Sequence, residues 1–130
     1  MNPLLGWFEG RAKWNRKNVE LHLEPGEDSG IADAIKTAES LWADQAAWKR
    51  RVDEFAVEQL LPLKNESWLG EDEREITPAD FKKKMKLKSI NVDGDGRFEF
   101  WHDDGGLFWG HSIQVSGTLK DGLTDVDVPG

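Results

Sequence analysis

The stretch that decides the fold is Phe98-Glu99-Phe100-Trp101-His102-Asp103-Asp104-Gly105-Gly106-Leu107-Phe108-Trp109-Gly110-His111-Ser112-Ile113. Apolar and polar residues alternate on both sides of its Asp-Gly pair, which is typical of strands with one buried face. Asp-Gly between such segments is also the strongest short-range signal for a tight hairpin. The stretch therefore predicts two antiparallel strands joined by a two-residue turn at Asp104-Gly105.

That turn fixes which side chains share a face. It would pair His102 with Leu107, Phe100 with Trp109 and Phe98 with His111. Since successive strand residues point to opposite faces, one face, expected to be the core, carries Phe98, Phe100, His102, Leu107, Trp109, His111, Ile113 and Val115. The opposite face carries Arg97, Glu99, Trp101, Phe108, Gly110, Ser112 and Gln114. Trp101 and Phe108 are thus expected at an exposed surface, and Trp109 in the core with Trp14, Trp42 and Trp48.

The remaining segments complete an α+β domain. Strands are predicted over residues 87–92, 97–102 and 107–119, with an edge strand in 123–128, and alternation in residues 7–24 predicts an N-terminal β-hairpin. Spacings of three and four predict a long central helix over residues 31–62, with Pro62 as its C-terminal limit. One straight helix there would measure about 48 Å, so a break is expected between Ala43 and Arg51. A short helix is predicted from Pro78 to Lys84.

Composition narrows the classes of function. A chain of 130 residues suits one domain, residues 1–130. Cysteine is absent, which excludes disulfides, thiolate metal sites and thiol catalysis. A net charge of -8 argues against nucleic-acid binding, because Lys and Arg must neutralise phosphates. Neither a signal peptide nor a membrane span is evident, so a cytoplasmic location is expected. The chain has seven Trp and no Tyr, which suggests core packing or a binding surface.

The sequence gives little support for a metal site or a catalytic site. Asp93-Gly94-Asp95-Gly96 resembles the start of a calcium loop, but the residues after it do not follow the EF-hand pattern, so a hairpin turn is the preferred interpretation. His102 and His111 would lie too far apart on the predicted ladder to hold one ion. Asp103 and Asp104 lie at the other end of the strand from Asp93 and Asp95. No metal or cofactor is therefore expected.

The same block resembles a family. With Leu41-Trp42-Ala43-Asp44-Gln45 and Lys64-Asn65-Glu66-Ser67-Trp68-Leu69 upstream, its residues 98–101 and 104–113 are similar to an uncharacterised bacterial family, one of the domains of unknown function. The likeness runs from Trp7 to Gly130. It implies no activity, cofactor or catalytic residue. Small acidic bacterial α+β domains of this kind are often immunity or inhibitor proteins, which is an analogy of fold.

Two functions follow as hypotheses. The first is a protein-binding module of the immunity or inhibitor type, a monomer or weak dimer, that captures a basic partner such as a toxin. Its expected contact residues are Trp101, Phe108, Glu99, Asp103, Asp104 and His102. The alternative is a small-ligand-binding protein or hydrolase-type enzyme that uses the His/Asp/Trp-rich meander. That alternative requires a concave pocket between the meander and the long helix.

Overall fold

In the part of the chain that the structure describes, three helices pack on one six-stranded sheet. A computed structural model describes residues 8–26, 30–69 and 74–129. The elements follow one another as β1 (Phe8–Trp14), β2 (Lys17–Glu24), α1 (Ile31–Ala43), α2 (Gln45–Ser67), α3 (Pro78–Lys84), β3 (Lys86–Asp93), β4 (Arg97–Asp103), β5 (Ser112–Thr118) and β6 (Gly122–Asp127). The predicted class and element order, a hairpin, helices and then an antiparallel meander, are confirmed.

The strands lie in the sheet in chain order, β1-β2-β3-β4-β5-β6. Four of the five neighbouring pairs are antiparallel, whereas β2 and β3 are parallel, with Leu21 opposite Ile90 and Leu23 opposite Val92. A parallel pair needs a long crossover, and the three helices supply it. This pair joins the N-terminal hairpin and the C-terminal meander into one sheet.

One face of the sheet packs against the helices and forms the core. Apolar residues of β2 to β5 alternate inward and meet the small residues of α1 and the larger ones of α2. Trp14 packs edge-on against Trp42 and Phe100, with ring centroids 4.9 and 5.4 Å apart, and Trp48 packs likewise on Phe98. The predicted core positions of Trp14 and Trp48 are confirmed, since both are buried, and Trp42 is partly buried beside them.

The long helical segment is broken where the sequence indicated, at Asp44 between α1 and α2. The predicted end at Pro62 is wrong, because α2 continues through that residue to Ser67. Proline lacks the N–H that would bond to the preceding turn, yet the next turn is held by buried Lys64, whose ammonium donates to the carbonyl of Trp68 at 2.6 Å. None of the helices described here is both long and apolar enough to cross a membrane.

The predicted register between β4 and β5 is wrong. His102 lies opposite Ile113 rather than Leu107, Phe100 opposite Val115 rather than Trp109, and Phe98 opposite Gly117 rather than His111. The two strands are joined by a loop over residues 104–111 and not by a two-residue turn. Because the register moves by an even number of residues, Ile113 and Val115 still point into the core as predicted.

Candidate functional site

A buried carboxylate builds the loop between β4 and β5. Asp104 is 1% exposed, and its two oxygens accept backbone N–H groups from Gly106, Phe108 and Gly110 at 2.9, 2.9 and 3.0 Å. The expectation that Asp104 is an exposed acidic contact is therefore wrong. A carboxylate surrounded by N–H donors fixes the surrounding backbone, so this side chain shapes the loop.

The loop reverses the expected positions of two aromatic residues. Phe108 is fully buried and packs against Trp68 and Phe81, so its predicted exposure is wrong. Trp109, predicted in the core, is 62% exposed and has a positive φ of 59°. Its ring lies 4.7 Å from that of Trp68, and His111 also contacts Trp68. The loop is the reason. In a continuous strand Phe108 would point outward and Trp109 inward, but the hydrogen bonds of Asp104 fold both residues into a loop outside the sheet.

The face of the sheet away from the helices, here called the open sheet face, carries three of the predicted contact residues. Trp101 lies on it and is half-buried, as its alternation with Phe100 and His102 predicts. Glu99 is next to it on the same strand and accepts from Asn91 Nδ2 at 3.3 Å and from Gln114 Nε2 at 2.5 Å. Asp103 is exposed at the end of β4. The structure thus places Glu99, Trp101 and Asp103 on one face.

Acidic side chains outnumber basic ones on the open sheet face, which also carries Lys13, Lys86 and Arg97. Strand alternation and pairing place seven carboxylates on its described part, and none of them is buried: Glu20, Glu24, Asp93, Glu99, Asp103, Asp125 and Asp127. Four of them, Glu24, Asp93, Glu99 and Asp125, line a depression of about 480 Å³ that also contains Arg97. Carboxylates so arranged create a negative potential that attracts cationic side chains.

Two buried polar atoms on the open sheet face have no hydrogen-bond partner among the described residues. They are the indole nitrogen of Trp101 and the side-chain oxygen of Asn91. A buried polar group without a partner costs about 1–3 kcal/mol. The buried polar side chains at the centre of this face are thus less completely hydrogen-bonded than those in the rest of the described structure.

His102 lies on the opposite side of the sheet from Trp101. It is 4% exposed, and its Nδ1 lies 3.2 Å from the carbonyl oxygen of Ile113, to which it donates. Burial lowers the pKa of His102 from 6.5 to about 4, although hydrogen bonds to the backbone at Ile113 and Phe100 and the charge of Asp53 act to raise it. The ring is neutral at physiological pH. A direct role at an exposed contact surface is therefore not supported for His102.

The polar residues named for the enzymatic alternative do not converge. Asp104 is occupied by backbone donors, and Nδ1 of His111 lies 2.5 Å from the carbonyl oxygen of Phe108. In the described ranges, no three His, Cys, Asp or Glu side chains are grouped closely enough to hold a metal ion. His102 does, however, line a cavity between the sheet and α2, which is the concave pocket that the ligand-binding alternative requires.

Part of the acidic surface was accessible to sequence reasoning. Thr124-Asp125-Val126-Asp127 alternates, so an edge strand with Val126 inward already implies that Asp125 and Asp127 point outward. Sequence alone could not place Glu24 and Asp93 on the same surface as Asp125 and Asp127, because Glu24 and Asp93 become neighbours only through the parallel pairing of β2 with β3. No local signal encodes that long-range contact.

Comparison with known proteins identifies one family. A family model described as "Uncharacterized protein conserved in bacteria (DUF2262)" matches residues 1–128. Neither a curated protein nor a solved structure matches the chain. The family extends over nearly the whole sequence, including both halves of the sheet and all three helices.

Proposed function

The chain belongs to DUF2262, a bacterial family described as uncharacterised, and on the geometry above we propose that it is a protein-binding module of the immunity or inhibitor type. It captures a basic protein partner such as a toxin. The observation that carries this proposal is the open sheet face, which no described helix covers and which presents seven carboxylates on the same side of the sheet as Trp101.

Charge supports a basic partner. The depression formed by Glu24, Asp93, Glu99 and Asp125 is large enough for a lysine or arginine side chain, and its carboxylates belong to four different strands. Such a surface accelerates encounter with a cationic protein and opposes binding of an acidic one. Glu99 is held in place by Asn91 and Gln114, so little side-chain freedom is lost when it pairs.

Trp101 supplies the apolar contact at the centre of the same surface. It is half-buried, flanked on neighbouring strands by Ser89 and Gln114, and its indole N–H has no acceptor in the described structure. Tryptophan surrounded by polar residues is a frequent anchor of protein interfaces. In this proposal Glu99, Trp101 and Asp103 contact the partner directly, whereas Asp104 and Phe108 support the loop behind them.

The test compares three purified baits: the wild-type chain, an open-face variant (Asp93→Asn, Trp101→Ala and Asp125→Asn), and a control variant in which the exposed helical residues Glu39 and Glu58 become Gln. Each bait is mixed with a lysate of its bacterial host and with the protein encoded by the adjacent gene. A captured protein is then purified and its affinity measured by calorimetry at two salt concentrations. Thermal unfolding establishes that all three baits are folded.

We expect a basic protein that binds the wild-type chain and the control variant with 1:1 stoichiometry, more weakly at higher salt. The open-face variant should bind it at least about tenfold more weakly, since the half-buried Trp101 and two carboxylates are removed. The proposal fails if no stoichiometric partner exists, if the partner is acidic, or if the folded open-face variant binds as tightly as the wild-type chain.

A further inference from the structure

A second concave region lies on the helical side of the sheet. A cavity of about 390 Å³ is enclosed by the β1–β2 hairpin, α2, α3 and the inward side of β3 and β4. Its buried lining is mostly apolar and includes Trp14, Val19, Val52, Met85, Phe100 and His102. Its exposed lining contains Lys17, Lys49, Lys82 and Lys83. It is called the lysine-rimmed cavity below.

The positive charge of this rim contrasts with the charge of the whole protein. The chain carries a net charge of -8, yet four lysines and a single aspartate, Asp53, line this cavity. Lys49 donates to Asp53 at 2.6 Å within α2. Lys17 comes from β2, and Lys82 and Lys83 come from α3, so the fold brings the excess positive charge together from separate elements.

The wall formed by the hairpin is fixed to the helices. The backbone N–H of Asn15 donates to Gln45 Oε1 at 2.6 Å, and its side-chain amide donates to the Gln45 carbonyl at 3.0 Å. The indole of Trp42 donates to the carbonyl of Lys13 at 2.7 Å. These bonds hold the tip of the hairpin against the end of α1 and the start of α2. The cavity is therefore preformed, which lowers the entropic cost of binding a ligand.

The floor contains one polar side chain. His102 is 4% exposed and lies among Phe100, Val52 and Met85. Its Nδ1 donates to Ile113, so the imidazole is anchored and its orientation is defined. An apolar interior with few polar groups and a charged entrance is the usual composition of a small-molecule site.

We propose that the lysine-rimmed cavity binds a small organic anion. Its flat apolar body contacts Ala79 and Leu87, which line the cavity and are not buried, and its carboxylate or phosphate group lies among Lys17, Lys82 and Lys83. The volume falls within the range of ligand sites, roughly 300–1,000 Å³. A short anion is favoured over a nucleic acid, because the acidity of the rest of the molecule repels an extended polyanion. The site lies across the sheet from the open sheet face and does not depend on the function proposed above.

The test measures direct binding of four probes by protein-observed NMR titration. 2-Naphthoate and 2-naphthyl phosphate combine an aromatic body with an anionic group, 2-naphthamide has the same body without charge, and inorganic phosphate has the charge without the body. We expect both aromatic anions to bind, with shifts centred on His102, Lys82 and Lys83. The amide and inorganic phosphate should bind at least about tenfold more weakly, since each lacks one of the two interactions. The stronger of the two anions identifies the preferred acidic group.

Variants locate the site. Replacing Lys17, Lys82 and Lys83 together by Gln should weaken 2-naphthoate binding about tenfold. Ala79→Phe, an exposed position on the cavity wall, should abolish it by filling the space. Lys36→Gln, an exposed lysine of α1 that does not line the cavity, should bind as the wild-type chain does. Absence of aromatic-anion binding, equal binding of 2-naphthamide, or unchanged affinity in the folded triple variant would overturn the proposal.

Discussion

Asp104 shows how much of the local structure can depend on one residue. Its carboxylate is the common acceptor for three backbone N–H groups, and it is almost completely buried. The neighbouring Gly105 and Gly106 and the more distant Gly110 all have positive φ angles. A side chain at Gly105 would also collide with the Lys84 carbonyl of α3. The loop is therefore specified by an acceptor and by glycines in left-handed conformations.

The contribution of this acceptor is measurable. Asp104→Asn replaces one accepting oxygen by a donating amide and leaves buried N–H groups unpaired, so the free energy of unfolding should fall by about 2–4 kcal/mol. Urea denaturation measures the change. Asp103→Asn is the matched control, because Asp103 is exposed and accepts only the N–H of Gly105 in the described structure. Equal losses in the two variants would show that the buried carboxylate has no special role.

His102 makes stability depend on pH. Its pKa is about 4 in the folded protein, below its value of 6.5 when solvated, so the unfolded chain takes up the proton first as the pH falls. Stability from the neutral ring is complete above pH 6.5 and is lost between pH 6.5 and about 4, with a total on the order of 3 kcal/mol. His102→Gln should remove this share of the pH dependence in urea denaturation. If the free energy of unfolding depends on pH as steeply in the variant as in the wild-type protein, His102 is not the source of this pH dependence.

At the level of elements, prediction succeeded where the signal is local. Alternation identified the strands of the meander, and the excessive length of the helical segment correctly required a break near Asp44. It failed at Pro62, because a helix can tolerate one missing hydrogen bond when tertiary contacts such as those of Lys64 hold the next turn. It also failed at Asp104-Gly105. The sequence there is typical of a two-residue hairpin turn, but the buried Asp104 carboxylate accepts backbone N–H groups and forms a longer loop instead.

Among the aromatic residues of the meander, the sequence was informative about Trp101, and it was misleading about Phe108, a candidate contact residue, and about Trp109, which was expected in the core. Trp101 lies in a regular strand, so its face follows from alternation. The other two lie in the loop, where one hydrogen-bonding carboxylate decides the orientation of the backbone. The lysine-rimmed cavity was not predictable, because it brings together β2, α2, α3 and the meander.

Asn65 of α2 binds the backbone of the described segment that leads into α3. Asn65 accepts the N–H of Ile76 at 2.8 Å and donates to the Ile76 carbonyl at 3.2 Å. Asn65→Ala should increase the amide exchange rate of Ile76 at least about tenfold, because the bonds that hold this backbone are lost. Hydrogen exchange followed by NMR measures the effect. Glu66→Ala, at the adjacent exposed position, is the control, and an equal acceleration there would exclude the specific role of Asn65.

Two charge clusters of opposite sign lie on opposite sides of the sheet. Carboxylates gather on the open sheet face, whereas lysines surround the cavity on the helical side. Because the carboxylates repel one another, salt should stabilise the protein by screening them. Asp93→Asn combined with Asp125→Asn removes two of these charges from the depression. The increase in melting temperature between low and high NaCl should be smaller in this variant than in the wild-type chain.

The control for this measurement is the helical pair Glu39→Gln and Glu58→Gln, which changes net charge equally but leaves the open sheet face intact. A net-charge effect alone would reduce the salt response of both variants to the same degree. A larger reduction in the open-face variant shows that the clustering of carboxylates matters. Differences of about 2–4 °C are expected for changes of this size.

The parallel pairing of β2 with β3 also has a consequence for how the chain folds. Leu21 and Ile90 are neighbours across this pair, so the segment with all three helices must close into a loop before the sheet is complete. The hairpin β1–β2 and the meander β3 to β6 have short connections and can form early, each on its own. We expect their union to be the slow step of folding. Substitutions that weaken β2–β3 packing should therefore reduce the folding rate more than equally destabilising substitutions in β6.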